Sequence, residues 1–363
     1  MEALVLDTGF EAVGILDSYE SFIWTDRYFE CGDFEVYGPA STEALSLLKT
    51  DYYLWNKDSE HVMIVEDTEV NTDVEDGNHI IIRGRSLESI IDRRIIWSHT
   101  TIEGNLQNGV KKLLDENVIS PTNPERKIPN FIFEESDDER ITSLTLEAQY
   151  LGENLYETIC SICKSNQLGF KITLNDHNQF IFKLYFGVDR SYTQIEKPYV
   201  VFSPNFNNII NSNYVETKST YKNVGLVAGE GEGTERKTVT VGNITGIDRR
   251  EMFVDAGDIS TYVDGDKTLS DSEYNAQLEE RGVEELSDYP LIQSFEGKME
   301  TTQTFELGKD YFIGDIVQTA NEYGKEANSR VVEIIMSQSS SEYAVYPTFE
   351  AVESENNIRR NSK

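Results

Sequence analysis

Apolar runs of a few residues, closed off by acidic, glycine or asparagine turns, recur along this chain and restrict it to a fold built mainly of strands. Val62-Met63-Ile64-Val65 and Ile80-Ile81-Ile82 are two such runs, each preceded by a histidine. They are too short for buried helices and suit paired strands, with Glu66 to Asn78 as the connecting loop. Tyr28 to Val36 alternates apolar and polar residues around an interruption at Gly32-Asp33, the mark of a bulge or turn. Phe170 to Leu174 and Gln179 to Phe186 flank Asn175-Asp176-His177-Asn178, a strong hairpin pattern. From Tyr199 onward strands predominate again, over Asn211 to Val227, Lys237 to Val241 and a final block from Gln293 to Phe349. No stretch approaches the roughly 18 apolar residues of a membrane-spanning helix.

Helical spacing interrupts this pattern in a few places. Leu106, Val110, Leu113 and Leu114 make one apolar face over Asn105 to Asn117, and Leu155, Ile159, Ile162 and Cys163 do the same over Asn154 to Asn166, with Gly169 as the stop. Ser41 to Lys49 should be a short helix with Ala44, Leu45 and Leu48 inward. Ser86 to Arg94 should be another, with a serine N-cap and a cationic end that suit the helix dipole. Ser270-Asp271-Ser272-Glu273 is a capping box opening a helix to about Gly282, with Tyr274 and Leu278 inward. The polar tail from Ser354 to Lys363 should fray.

At 363 residues the chain has room for two to four domains, and 38% hydrophobic residues suffice for real cores. Its 19 Tyr and 17 Phe suit half-buried strands and protein interfaces. The formal net charge of -33 disfavours nucleic-acid binding, which needs cations to neutralise phosphates, and binding to anionic membrane. Simple solubility accounts equally well for the charge. Three cysteines do not make a disulfide framework and fit a reducing compartment. The acidic stretch Met1 to Asp7 is no secretory signal.

Candidate chemistry is sparse. Cys160-Ser161-Ile162-Cys163 lies inside a helix with no second ligand pair, so a helix-core role is expected rather than zinc or redox chemistry. His61, His79, His99 and His177 are scattered; His61 and His79 could meet across paired strands, but polar strand ends are the simpler expectation. Asp264-Gly265-Asp266-Lys267-Thr268-Leu269 opens like a calcium loop but lacks the required Gly and Glu, having Leu269 and Asn275 there. Gly229-Glu230-Gly231-Glu232-Gly233 precedes a strand, not a helix, and its glutamates repel phosphate, so a hairpin tip is expected. The acidic run Glu134 to Glu139 is expected to be solvated loop, since chance carboxylate pairs abound among 65 acidic residues. There is no Gly-x-Ser-x-Gly nucleophile motif.

Three ordered segments carry a resemblance. They are Arg83-Gly84-Arg85-Ser86-Leu87 with Ile90-Ile91-Asp92-Arg93-Arg94-Ile95-Ile96, then Val227 to Gly233 with Asp248 to Asp255, then Leu307 to Val317 with Arg330-Val331-Val332-Glu333. Together they resemble the siphophage tail hub family of prophages in Gram-positive bacteria, from about residue 15 to 350; Phe312 departs from the acidic residue more usual there. The resemblance implies a β-rich α+β chain similar to the central hub of contractile tails. Two tail-tube-like β-barrel domains would span 1–98 and 199–350, the second with a helical insertion near 268–288. A smaller α+β domain would be inserted over 99–198, and 351–363 would be a flexible tail.

It further implies a non-enzymatic, homotrimeric baseplate hub at the virion tail tip, assembled in the bacterial host cytoplasm. The hub would bind the distal tail protein, tail tube, tape measure protein and receptor-binding or fibre proteins. Phage DNA would pass through an acidic lumen without specific binding. No catalytic, cofactor-binding or metal residue carries over, and no cofactor or membrane span is implied. Glu350 to Lys363 is expected to be too short for a peptidase or fibre-binding domain. The competing readings are a tail-associated cell-wall hydrolase and a receptor-binding protein that grips host glycans.

Overall fold

Period-two burial builds the first half of the chain. β1 (Ala3–Leu6), β2 (Ala12–Leu16), β3 (Ser21–Arg27) and β4 (Asp33–Pro39) lead through a short helix, α1 (Thr42–Leu47), to β5 (Tyr53–Trp55), β6 (Val62–Asp73) and β7 (Gly77–Ser86). In β4, Phe34 and Val36 are buried while Asp33, Glu35 and Tyr37 are half-buried on the other face. The computed structural model describes residues 1–75, 77–263, 267–299 and 305–352, so Asp264-Gly265-Asp266 and the tail from Ser354 lie outside the described residues.

The expected loop over Glu66 to Asn78 is instead an arm. β6 runs on to Asp73 and β7 starts at Gly77, paired antiparallel from Met63↔Ser86 to Asp73↔Gly77 with a bulge after Val65. On β6 both faces from Asp67 on meet solvent, so polarity does not alternate and the sequence pattern carries no strand signal there, while β7 keeps its alternation and pairs with β4 as far as Pro39↔His79.

A 3-10 helix over Leu87–Arg93 leaves the sheet. Ser86 does not cap it with its side chain; that hydroxyl accepts from the Gly32 N–H at 2.8 Å instead. β8 (Thr100–Ile102), α2 (Leu106–Leu114), β9 (Phe131–Glu134), α3 (Glu139–Thr142), β10 (Ala148–Tyr150), α4 (Leu155–Ser165), β11 (Gly169–Leu174) and β12 (Phe180–Tyr185) follow. The apolar faces of α2 and α4 are buried where their spacing places them, and Asn105 and Asn154 cap them by accepting backbone N–H groups of the first turn. Gln167, at φ 54°, ends the second of these, while Gly169 opens β11 rather than stopping the helix. β11 and β12 form the expected hairpin, and β9 joins β12 in parallel.

The last part holds β13 (Val201–Phe202), β14 (Ile209–Thr217), β15 (Val224–Ala228), β16 (Thr238–Val241), β17 (Glu251–Asp255), β18 (Tyr262–Val263), β19 (Lys267–Thr268), α5 (Asp271–Ser287), β20 (Ile292–Met299), β21 (Ile316–Ala320), β22 (Glu326–Ser339) and β23 (Tyr343–Ala351). The run Asn211 to Val227, expected as one strand stretch, divides between two sheets, because β14 pairs with β20 and β15 with β16 and β17. The capping box of Ser270 and Glu273 forms, but α5 continues past Gly282 to Ser287. Gly282 is a contact point, not a stop: a Cβ there would stand 2.6 Å from the side chains of Val227 and Val241, so only glycine lets the helix lie this close to its sheet.

The main sheet has thirteen strands, ordered β14-β20-β23-β22-β3-β4-β7-β6-β5-β1-β2, with β21 also paired to β22 and β13 paired to β21. β3 and β22 join its two halves, from Ser21↔Ser339 to Arg27↔Glu333. The path is open at both ends among the described residues. One core, including Trp24, Phe34, Phe202, Phe295 and Phe349, serves both halves. A second core fills the unit from Leu87 to Leu184, and a third lies between α5 and the β15–β17 sheet.

Candidate functional site

The residues with unusual surroundings lie at joints between these units. Tyr28, fully buried just after β3, is at the first joint. Its hydroxyl reaches the Tyr185 carbonyl at 3.1 Å and the Gln167 carbonyl at 3.3 Å, both in the inserted unit. The Arg330 guanidinium from β22 lies 4.9 Å from the centre of its ring and donates to the Gly314 carbonyl at 2.8 Å. Gly314 has φ 89°, and a Cβ on it would enter the Tyr28 ring at 2.4 Å. Beside it the buried Asp315 accepts from the Val188 N–H and Arg190 Nε, each at 2.7 Å, and from the Phe312 N–H at 3.1 Å. Burial pushes the Tyr28 hydroxyl up to about 12. The third segment singled out in the sequence, Leu307 to Val317 with Arg330, therefore fastens three units together. Phe312 takes part through its backbone N–H, and its side chain is 40% exposed.

A second joint buries charge. His61 Nδ1 lies 3.1 Å from Glu88 Oε1, which also accepts the Ile172 N–H of β11 at 2.7 Å. Asp26 is buried nearby and accepts from Trp24 Nε1 at 2.9 Å and Ser59 Oγ at 2.8 Å. Burial disfavours the imidazolium, but Glu88 and Asp26 outweigh it and raise His61 to about 9. Burial disfavours the Glu88 carboxylate too, and His61 with its hydrogen bonds holds it below its ordinary range instead. Burial pushes Asp26 up. His61 is thus no polar strand end, and it does not meet His79, which stacks on Tyr37 with ring centres 5.0 Å apart. An acid among Leu87, Ile90 and Ile91 was the signal available in the sequence for Glu88.

A third joint ties the inserted unit to α5. Gln149 Nε2 donates to Gln277 Oε1 at 2.7 Å and to the Ser260 carbonyl at 3.1 Å, while its Oε1 lies 2.8 Å from His99 Nε2. Tyr150 donates to Glu284 Oε1 at 2.7 Å. Burial raises Glu284 to about 7 against the opposing pull of Tyr150 and Arg281.

The other sequence candidates serve the framework. Cys160 is half-buried and Cys163 buried on α4, both free thiols, and burial pushes both up, opposite to a reactive or metal-binding thiol. Gly229 to Gly233 connects β15 to β16 as a hairpin, with the Glu230 N–H donating to Tyr274 Oη at 2.6 Å. His177 sits exposed in the β11–β12 turn, its N–H donating to Asn175 Oδ1 at 2.9 Å. Glu134 and Glu135 pair with Lys183 and Lys111 at 2.8 and 2.5 Å at the surface. No group of three or more His, Cys, Asp or Glu side chains suited to a metal ion occurs among the described residues.

One surface pocket, of about 410 Å³, gathers Arg93, Arg94 and Arg126 around Ile95 and Trp97. Trp97 is 63% exposed, with the Arg126 guanidinium 5.0 Å from its ring centre. Arg94 Nε donates to the Arg126 carbonyl at 2.8 Å and Arg126 Nη2 to the Ile95 carbonyl at 2.7 Å, so both side chains are held in place. Asp92 also lines the pocket but is engaged by Arg85 and Asn154, each at 2.9 Å; Glu125 lines it as well.

The profile of one protein family, described as Siphovirus ReqiPepy6 Gp37-like protein, matches residues 2–349. A search of curated protein sequences found no match. Among solved structures, the chain is similar to prophage tail protein gp18 from Listeria monocytogenes EGD-e, at 14% identity and a TM-score of 0.55, covering 100% of this chain and 98% of that one. It is also similar to a tail protein from Neisseria meningitidis MC58, at 13% identity and a TM-score of 0.57 over 98% and 97% of the two chains. A 43 kDa tail protein of prophage MuSo2 from Shewanella oneidensis gives 10% identity and a TM-score of 0.57 over 96% and 98%.

Proposed function

This chain belongs to the Siphovirus ReqiPepy6 Gp37-like protein family, and on that premise we propose that it is a structural, non-enzymatic hub of a phage or prophage tail tip. Three copies form a ring that joins the tail tube and distal tail protein to the adsorption apparatus, and DNA leaves through its centre. Each half of the thirteen-strand sheet acts as a tail-tube-like barrel, residues 1–98 and 199–350. The unit over 99–198 and the helical insertion near 268–288 are set on the outside, and 351–363 forms a flexible tail.

The observation that carries this reading is where the chain invests its buried polar groups. Tyr28, Asp315, His61, Glu88 and Gln149 all link one unit to another, and Arg330 links the two halves of the main sheet through Tyr28. They serve shape and mutual orientation, as a docking protein requires. The charge of -33 acquires a role in the same reading, because acidic walls give DNA phosphates nothing to hold and let them slide. A trimer with a neutral or basic lumen would contradict that part.

Electron microscopy of assembled tails carrying an epitope-tagged chain tests the whole. The expected result is threefold density at the distal end of the tube. A chain missing from that end, or turnover of purified peptidoglycan by the isolated chain, overturns the reading.

A further inference from the structure

The arm and the arginine pocket are complementary. From Asp67 to Glu75 the β6 side of the ribbon is exposed on both faces, while β7 is held by β4 as far as Pro39↔His79, so the ribbon is anchored in the sheet and its tip stands free of it. It carries Glu66, Asp67, Glu69, Asp73 and Glu75. Its tip presents Val74, fully exposed, between Asp73 and Glu75. An apolar tip flanked by carboxylates is the converse of a pocket that Ile95 and Trp97 line together with Arg93, Arg94 and Arg126, three cations to the two carboxylates of Asp92 and Glu125. Burial, and after it the neighbouring Arg94, disfavours the charged form of Arg126 in this pocket.

The arm cannot serve its own pocket. Arg85 bridges Glu66, at the arm's base, to Asp92, at the pocket's edge, so the two begin side by side. From Glu66 the ribbon then carries its tip roughly 25 Å away, at about 3.3 Å per residue. A second copy is the partner the charges favour. On a chain of net charge -33, copies repel one another unless a localised cationic site meets an acidic projection.

We propose that the tip of the β6–β7 arm of one copy inserts Val74 and Glu75 into the Arg93–Trp97–Arg126 pocket of the next copy. Such a contact is heterologous, head to tail, and closes into a ring when the rotation between copies permits. The proposal rests on the trimeric hub reading and adds to it the contact by which the copies recognise each other.

Sedimentation of the purified full chain over a range of concentrations tests it. Val74→Asp, Glu75→Lys, Arg93→Glu and Trp97→Ala alter exposed side chains, and each should leave the melting temperature of the chain unchanged while weakening self-association by about tenfold or more. The chain carrying both Arg93→Glu and Glu75→Lys restores opposite charges across the contact and should recover association to within about threefold of wild type. A wild-type chain that stays monomeric throughout, or a trimer indifferent to these substitutions, overturns the arm contact. Neither result removes the chain from the tail tip, so the hub reading stands or falls separately by microscopy.

Discussion

In the core of the main sheet the molecule is held by dry packing, and where the inserted unit meets that same sheet it is held by buried charge. At the first place Phe349 lies fully buried with Phe202 and Phe295 at ring separations of 4.8 and 6.2 Å, in a core drawn from both halves of the chain. At the second, His61 and Glu88 share one hydrogen bond in the interior and Glu88 also takes the Ile172 N–H. Apolar packing is strong but tolerant of small rotations. Buried hydrogen bonds and ion pairs tolerate almost none, because a misplaced partner leaves a charge uncompensated. The contrast suits a chain whose halves share one core while the inserted unit is fixed against it at a defined angle.

Substitutions at the two joints sharpen this contrast. Phe349→Ala should cost about 3–5 kcal/mol of unfolding free energy, nearly constant from pH 5 to 10. Glu88→Ala should cost a similar amount, about 3–5 kcal/mol, but with a pH signature. His61 has its folded value raised from 6.5 to about 9, so its share of the stability is complete below pH 6.5 and is lost as pH rises through about 9. Glu88 is lowered from its ordinary 4.5, so its share is present above that value and lost at lower pH. Denaturant titration should therefore find the gap between wild type and Glu88→Ala widest near pH 5–6 and narrower by pH 10. A gap as flat as that of Phe349→Ala would remove the charged character of the joint.

Gly314→Ala should follow with a loss of about 2 kcal/mol, from a left-handed backbone and a collision with the Tyr28 ring. The smallest effect concerns the joint with α5. Glu284 is raised from 4.5 to about 7, so its ionisation works against the fold, and stability falls as pH rises from about 4.5 through 7. Glu284→Gln should match wild type near pH 4.5 and exceed it by about 1–2 kcal/mol at pH 8 in thermal unfolding. A neutral result at pH 8 would place this joint with the pH-independent ones.

Much of the local structure was legible. The i, i+4, i+7, i+8 spacing located α2 and α4, the Ser270–Glu273 box located the start of α5, and Asn175 to Asn178 located a hairpin. Each of these signals is complete within a dozen residues. The outer part of β6 was hidden because a strand exposed on both faces has no polarity rhythm. Gly282 looked like an end of helix because its reason for being glycine, the closeness of Val227 and Val241, lies more than 40 residues away in the chain. The joints were hidden for the same reason. Glu88 reads as an ordinary first-turn acid until His61 and Ile172 are placed around it, whereas the helix-core reading of Cys160-Ser161-Ile162-Cys163 needed only the helical spacing and the lack of a second ligand pair.

By itself the sequence determined the strand-rich class, the faces of its principal helices, the acidic surface and the order of the three segments that the family match spans. Those properties depend on near neighbours, on composition and on pattern. Only the tertiary structure decided that the two halves share one sheet, that the charged residues at the joints are buried, and that the arginines of residues 93–126 converge on Trp97. Burial and convergence depend on which distant segments meet, and the free energy of a charged or aromatic side chain is set by that meeting rather than by its place in the chain.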